Sequence, residues 1–274
     1  MMGNEMGHPV ASEKEKRLDS ILGGFDRVAV AFSGGTDSTY LLYRALTVLG
    51  RGNVLAVTVS TELTGQAAVE GAVSLAEKLG AEHLVLNLNI LSLPAIEKNE
   101  RNRCYYCKKT IYVKMLAAIA ERGRHVLLDG SHSGDRFEER PGMLALDELN
   151  IRRPLQEAAL DKQEIRLLSR DSGLPTWDKP AEACFASRFP YGHSLTADEI
   201  RKVAEAEAFL RRIGLVNEMR VRCHGQLARI EVNITGFQIV LSRRSDIVSY
   251  FRNLGYFYVT LDLEGFSPGS MDRQ

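Results

Sequence analysis

Apolar positions along this chain alternate between two periods. The run from Val28 to Phe32 is a short apolar strand, and Tyr40 to Leu49 follows with helical spacing. Asn53 to Val59 is a continuous apolar run rich in β-branched residues, the pattern of a strand covered on both faces. Thr64 to Leu79 places Ala68, Ala72, Leu75, Ala76 and Leu79 on one helical face and stops at Gly80. His83 to Leu88 reads as a third strand, Lys108 to Arg122 as a helix, and His125 to Asp129 as a fourth strand followed by Gly130. Asp161 to Ser172 is a further helix that closes at Gly173. Strands alternating with helices predict an α/β fold, a parallel sheet with helices on both faces.

The pattern changes after Pro190. Thr196 to Ile213 is an amphipathic helix whose Thr196 and Glu199 have capping-box spacing. Met219 to Cys223, Ala228 to Val232 and Tyr256 to Leu261 are strand-like, and Gly236 to Leu254 is largely helical. The expected organisation is a disordered or helical lead-in over 1–16, an α/β domain over 17–189, and a smaller α+β domain over 190–274.

Composition narrows the class. In 274 residues, 45% are hydrophobic and 26% charged, and the formal net charge is zero. Such values fit an ordinary soluble globular protein and give no global attraction for nucleic acid or a membrane surface. No stretch approaches the roughly 18 apolar residues of a membrane span. Met1 to Lys16 is polar, without the apolar core of a secretory signal, so a cytoplasmic location is expected.

The first strand ends in Ser33-Gly34-Gly35-Thr36-Asp37-Ser38, and a helix starts at once. The glycines allow a tight turn and close approach of backbone N–H groups. Ser33 and Ser38 add hydroxyls, and the helix presents its positive end, so the turn suits a phosphate or pyrophosphate. The spacing and lysine of a Walker A loop are missing, and so is a G-x-G-x-x-G fingerprint. The bland alternative is a plain capped turn. The string resembles the PP-loop of the ATP pyrophosphatases, which split ATP between its α and β phosphates. That resemblance implies ATP as cosubstrate, with Asp37 placing Mg²⁺ through the phosphates.

Three of the four cysteines stand in suggestive company. Cys104 and Cys107 form Arg103-Cys-Tyr-Tyr-Cys-Lys108, expected just before a helix, where basic neighbours favour thiolate. The spacing suits zinc, an iron–sulfur cluster or a dithiol pair; two buried small hydrophobes are the lesser reading, since basic flanks are unusual for plain core. Cys184 lies just before the expected domain boundary, and Cys223, inside a strand pattern, reads as packing. Three thiolates leave a fourth position open, or a histidine such as His132, His193 or His224 completes a zinc site.

With Cys184 included, the chain resembles the LarE-type ATP-dependent sulfur transferases of nickel-pincer nucleotide biosynthesis. The matching strings are Ala31 to Ser38, Leu128-Asp-Gly130, Arg140-Pro-Gly142, Ala183-Cys-Phe-Ala-Ser-Arg-Phe-Pro-Tyr-Gly192, Arg220-Val-Arg222, Ala228-Arg-Ile-Glu231 and Tyr258 to Gly265. They run from about residue 15 to 272. The family implies adenylation of a carboxylate of pyridinium-3,5-biscarboxylic acid mononucleotide, then attack by sulfur that displaces AMP and leaves a thiocarboxylate. Some members sacrifice one cysteine, at the position of Cys184; others carry a [4Fe-4S] cluster on three cysteines. Cys104, Cys107 and Cys184 favour the cluster version here.

The resemblance further implies that Ser33, Gly34, Gly35 and Ser38 hold ATP phosphates, while Thr58, Ser60 and Gly130 border the adenosine. Arg188, Arg220, Arg222 and Arg229 are candidates for the substrate phosphate and carboxylates, whose planar or tetrahedral anions match guanidinium forks. Arg220 and Arg222 also fit a solvated strand face, and Glu231, two residues past Arg229, fits a simple neutralising partner for it. Glu207 is expected to be an exposed helix glutamate, and Asp135, Glu138 and Glu139 a solvated loop. Tyr105 and Tyr106 fit stacking on a ring, lining a cluster, or core packing. A homo-oligomer such as a hexamer is implied. The rival functions are a PP-loop tRNA thiolase, an ammonia-using amidating synthetase and a non-enzymatic nucleotide-binding iron–sulfur carrier. The neutral charge disfavours the first, and the cysteines disfavour the second.

Overall fold

The computed structural model describes residues 9–135, 142–180, 183–215 and 218–272. They divide into two compact units. The first comprises 1–61, 66–88 and 104–181, and the second comprises 62–65, 89–103 and 182–274.

In the first unit, helix α1 (Pro9–Leu22) precedes β1 (Val28–Ala31), α2 (Thr36–Leu49), β2 (Val54–Ser60), α3 (Gln66–Leu79) and β3 (Glu82–Asn87). A short α4 (Pro94–Glu97) belongs to the second unit. Helix α5 (Arg103–Ala120), β4 (Val126–Leu128), α6 (Gly142–Glu148), α7 (Pro154–Glu157) and α8 (Lys162–Asp171) complete the order. The four strands form one sheet in the order β3-β2-β1-β4, and every pairing is parallel.

Alternation along the strands builds two cores. Val28, Val30, Val54 and Ala56 face α1, α2, α3 and α8, with Leu18, Tyr40, Leu41, Ala72 and Ile165 fully or nearly buried. Ala29, Leu55, Val57 and Leu127 face the other way, against Tyr112, Met115 and Ile119 of α5 and Met143 and Leu146 of α6. Side chains at i and i+2 share a face, so one strand sequence fills both layers. The predicted parallel sheet with helices on both faces is what forms.

The order reverses at β1: β2 and β3 extend the sheet on one side and β4 on the other. In open α/β sheets ligands sit outside the carboxyl ends of the strands at such a switch point. Ser33–Gly35 follows β1 and Asp129–Gly130 follows β4, so both border it.

The second unit carries α9 (Ala197–Arg212), β5 (Met219–His224), β6 (Leu227–Val232), α10 (Gly236–Ser242), α11 (Arg244–Asn253) and β7 (Tyr258–Leu261). Its sheet runs β5-β6-β7, antiparallel then parallel, as a small α+β assembly requires. Thr196 caps α9 by accepting from the Glu199 N–H at 3.2 Å, as its spacing predicts.

Two predicted boundaries shift. Helix α5 starts at Arg103, not Lys108, so the cysteine pair lies inside its first two turns rather than before it. The predicted Gly236–Leu254 helix is two helices, which meet at Arg243.

Candidate active site

The phosphate turn is assembled from three directions. Gly34 has a φ of +68°, and a Cβ there would sit 3.2 Å from the Ala72 Cα of α3, so only glycine fits. Gly35 is the N-cap of α2 and brings no side-chain acceptor to the first amides. Those N–H groups and the helix dipole make an anion site. The Ser38 Oγ accepts from the Ser33 N–H at 3.3 Å and lies 3.1 Å from the Ser33 Oγ, closing the turn on itself. Gly130 presses on the same turn from β4, where a Cβ would stand 3.1 Å from the Ser38 N.

Two lysines reach this turn from far along the chain. The Lys162 Nζ, in the first turn of α8, lies 2.8 and 2.7 Å from the two Asp37 carboxylate oxygens. The Lys179 Nζ donates to the Gly34 carbonyl at 3.2 Å. Nearby, the Thr36 hydroxyl donates to the Thr176 carbonyl at 2.7 Å and ties α2 to the same loop. Nothing in the local spacing of either lysine announces this role, since the partners are set by tertiary packing. The only local signal is the Asp161 capping box, which fixes where α8 begins and therefore where Lys162 stands.

At the end of β4, Asp129 is buried and accepts from the Ser131 N–H at 2.8 Å, the Ser131 hydroxyl and the Tyr112 hydroxyl. Burial alone would raise its pKa; Lys108 and these hydrogen bonds outweigh it and hold the carboxyl below its ordinary range. Burial, then Asp129, pushes the Tyr112 hydroxyl well up. Tyr112 and Lys108 belong to α5, the helix of Cys104 and Cys107. The cysteine helix is thus fastened to the loop that packs on the phosphate turn. Thr58 is also committed: its hydroxyl donates to the Phe32 carbonyl at 2.6 Å and lies 2.8 Å from the His83 Nε2. The Ser60 carbonyl accepts from the Leu88 N–H at 2.9 Å.

Cys104 is exposed and Cys107 half-buried, three residues apart on one helical turn and therefore on one face. Tyr105 and Tyr106 meet edge to face, the Tyr105 hydroxyl donates to Glu148, and Tyr106 is 43% exposed, so neither is plain core. Among the described residues no three His, Cys, Asp or Glu side chains are gathered closely enough to hold a metal ion. His132 and His193, offered above as further ligands, lie against Asp135 and Glu199. Burial, with Arg229 beside it, lowers the pKa of His224, the third. Cys223 is buried, and burial pushes its thiol up to about 11, as suits a packing residue.

In the second unit Cys184 is exposed and leads into a 3-10 turn, Phe185–Arg188. Arg188 is buried; its Nε donates to the Glu207 Oε1 at 2.8 Å and its Nη1 to the Ala183 and Cys184 carbonyls at 3.1 and 3.4 Å. Glu207 is fully buried rather than exposed, which corrects the sequence expectation. It also accepts from the Val221 N–H at 3.1 Å and pairs with Arg211 at 3.3 Å. A helix pattern places a residue on a face but does not reveal which strand covers that face; here β5 does. Asp135 is likewise buried against the His132 N–H at 3.0 Å, not solvated; Glu138 and Glu139, like Arg140 and Pro141, lie outside the described residues.

Arg220, Arg222 and Arg229 share one face of the small sheet, since Arg220 stands opposite Glu231 and Arg222 opposite Arg229. Glu231 is the centre of this face: it accepts from Arg222 at 2.9 Å, Arg229 at 3.0 Å and the Ser270 hydroxyl at 2.7 Å. Arg222 is buried and also donates to the Ser187 carbonyl at 2.9 Å. Arg220 is only partly buried. Burial, then Arg188, lowers its pKa, with Arg222 and Arg211 acting the same way against Glu207, a sign of locally crowded positive charge.

The family model for NAD synthase matches residues 17–129, the span of β1 through β4. The chain is 41% identical over 259 residues to pyridinium-3,5-bisthiocarboxylic acid mononucleotide synthase of Lactiplantibacillus plantarum, covering 94% of each chain. It is 38% identical over 262 residues to an uncharacterized protein of Synechocystis sp., covering 95% of this chain and 97% of that one. A glutamine-dependent NAD(+) synthetase of Aquifex aeolicus matches only locally, at 31% over 81 residues, 30% of this chain and 14% of that protein. No described helix is long and apolar enough to cross a membrane. A glycine turn at the switch point of a parallel sheet, joined to near full-length likeness to the mononucleotide synthase, places this chain in the LarE-type family of adenylating sulfur transferases within the PP-loop ATP pyrophosphatases.

Proposed function

We propose that this chain is the cytoplasmic enzyme that adenylates a carboxylate of pyridinium-3,5-biscarboxylic acid mononucleotide and converts it to a thiocarboxylate. The carrying observation is the phosphate turn with Asp37 and Lys162 at the switch point, in a chain 41% identical to a synthase of the bisthiocarboxylic product. Backbone N–H groups at Gly34 and Gly35, with Ser33 and Ser38, hold the ATP phosphates. Thr58, Ser60 and Gly130 border the adenosine. Asp37 offers the carboxylate a Mg²⁺–phosphate complex needs, and Lys162 and Lys179 add cationic charge beside the departing pyrophosphate. The substrate carboxylate oxygen bonds to the α phosphorus and pyrophosphate leaves. A sulfur nucleophile then attacks the acyl carbon, forming C–S as the bond to AMP breaks.

The sulfur comes through Cys104, Cys107 and Cys184. The single-turn spacing of Cys104 and Cys107 supports a shared metal, with Cys184 as third thiolate. A [4Fe-4S] cluster on these residues would supply a transferable sulfide at its open iron. The exposure of Cys184 supports the second version, in which its own thiolate attacks. Loss of its α proton then breaks Cβ–Sγ, leaving dehydroalanine and the thiocarboxylate. Arg188, Arg220, Arg222 and Arg229 are proposed for the substrate anions. Arg220 is the best placed, because it is partly exposed within crowded positive charge. A homo-oligomer is proposed with the family.

The test is anaerobic purification, visible spectroscopy, and intact mass before and after ATP, Mg²⁺ and the mononucleotide. AMP, pyrophosphate and thiocarboxylate in equal amounts support the function. A broad band near about 400 nm with unchanged protein mass supports the cluster version. Loss of the elements of H₂S from the Cys184 peptide supports sacrifice. Pyrophosphate release that does not depend on the mononucleotide would end the proposal.

A further inference from the structure

The backbone that carries Cys184 is held by side chains. Arg188 takes the Ala183 and Cys184 carbonyls, and Arg222 takes the Ser187 carbonyl. The Phe185 N–H donates to the Leu63 carbonyl at 3.2 Å and the Ser187 hydroxyl to the Cys184 carbonyl at 2.8 Å, and further grip comes from a residue that no motif marks. Asn99 is fully buried, and its Nδ2 donates to the carbonyls of Ala186, Phe189 and Pro190 at 3.4, 3.2 and 2.8 Å. Its own carbonyl accepts from the Gly192 N–H at 3.2 Å.

Asn99 also sits in an unusual backbone state. Its φ is +50°, a region that asparagine tolerates better than most side chains but that still costs about 1 kcal/mol or more. Among the described residues its Oδ1 is buried with no hydrogen-bond partner. A buried acceptor without a partner costs roughly 1–3 kcal/mol. An amide held at such a cost is explained by its donor half, and every acceptor of that donor lies in the segment just after Cys184. The other side of Asn99 is equally directed. The chain runs from it through Glu100, whose carbonyl accepts from the Arg103 N–H at 3.1 Å, into the first turn of α5. The Arg101 and Arg103 guanidinium groups lie over the Tyr191 ring, 4.9 and 4.5 Å from its centroid. The stretch entering the Cys104 helix is therefore laced to the stretch leaving Cys184, with Asn99 as the central knot.

We infer that Asn99 is a positioning residue for sulfur delivery: its amide fixes the backbone that presents Cys184 and joins it to the lead-in of the Cys104–Cys107 helix. The inference rests on the sulfur-transfer reading above and assigns no chemistry to Asn99 itself. It makes the segment from Ala183 to Pro190 a preset platform rather than a loop that orders late.

The test variant is Asn99→Gly, which keeps the left-handed backbone and removes only the amide; Asn99→Asp, of the same shape, replaces the donor by an acceptor facing three carbonyls. Three quantities are measured on the full-length protein: mononucleotide-dependent ATP–pyrophosphate exchange, thiocarboxylate formation, and alkylation rates of Cys184 and of buried Cys223 by peptide mass spectrometry. The expected result in both variants is exchange within twofold of the parent and thiocarboxylate formation down at least tenfold. Cys184 should label at least threefold faster, with Cys223 unchanged. Parent-like thiocarboxylate formation in Asn99→Gly overturns the inference. So does faster labelling of Cys223 in step with Cys184, which would make Asn99 a fold-holding residue only. If the parent protein itself forms no thiocarboxylate, the sulfur-transfer reading falls. The labelling contrast between Cys184 and Cys223 still decides whether Asn99 fixes that segment.

Discussion

Lys162 binds Asp37 with one amino group between both carboxylate oxygens, at 2.8 and 2.7 Å. The pair joins the first turn of α2 to the first turn of α8, two positive helix ends that face the same small volume. On the proposed reading, Lys162 stands beside the phosphates whose negative charge grows as pyrophosphate departs. Both side chains are partly exposed, so the pair itself stabilises the fold by only about 0–1 kcal/mol. Lys162→Met should leave the melting temperature nearly unchanged. It should lower kcat/KM for ATP in pyrophosphate exchange by about 10²-fold or more, the scale for losing one preorganised donor. Calorimetry and isotope exchange on the same preparation check both halves.

Gly130→Ala separates steric need from backbone freedom. Its φ is not in the left-handed region, yet the added methyl would lie 3.1 Å from the Ser38 N and 3.3 Å from the Ser38 Cα. Ser38 belongs to the turn itself, so relief moves the phosphate site. We expect nucleotide affinity to fall at least tenfold by calorimetric titration, with a stability loss of about 1–3 kcal/mol. Gly71→Ala, in the middle of α3 with nothing within 4 Å of the new methyl, is the control. It should stabilise by about 0.5–1 kcal/mol and leave nucleotide binding unchanged.

The parallel sheet was legible because β1 and β2 are buried on both faces and carry uninterrupted apolar runs. The phosphate turn was legible because glycine at φ +68° leaves a local mark. What escaped is pairing across distance. Lys162 and Lys179 look like ordinary surface lysines until α8 and the loop after it fold against the turn. Glu207 looks exposed because helix periodicity fixes a face but not its neighbour, and only β5 makes that face interior. Asn99 follows a short helix with no motif around it, and its three acceptors lie 87, 90 and 91 positions away. The cysteine pair was visible as a spacing. Its place inside α5 was missed, although Asn102, a favoured N-cap residue type, stands immediately before the first helical residue.

Asp129 gives a pH dependence with a definite sign. Its carboxyl titrates below the ordinary range in the folded chain: burial works the other way, but Lys108, Ser131 and Tyr112 outweigh it. The unfolded value is about 3.9. The unfolded chain thus takes the proton first as pH falls, so the contribution is complete above about pH 4 and disappears as pH drops through the folded value. Asp129→Asn should be less stable than the parent at pH 7, and the gap should narrow at pH 3, by urea midpoints. His83 acts at higher pH. Burial lowers its pKa in the folded chain, so stability declines as pH falls below about 6.5, and that slope should persist in Asp129→Asn.

Arg188 and Glu207 form a buried ion pair, 3% and 0% exposed, at 2.8 Å. Taking one charge away leaves the other desolvated without a counter-charge, at a cost of about 3–5 kcal/mol. Glu207→Gln keeps the shape and an acceptor for the Val221 N–H but removes the charge, and strands Arg188 among its carbonyl partners. The loss should appear in urea unfolding of the second unit, followed by alkylation of buried Cys223. Arg188→Met removes the unpaired cation, so Arg188→Met with Glu207→Gln should be less destabilised than the two single losses summed. A coupling of about 0.5–3 kcal/mol is expected. The double variant still lacks the donors that hold the Ala183 and Cys184 carbonyls, so its stability should recover further than its thiocarboxylate yield. Equal recovery of both would mean that Arg188 serves the fold alone and does nothing to present Cys184.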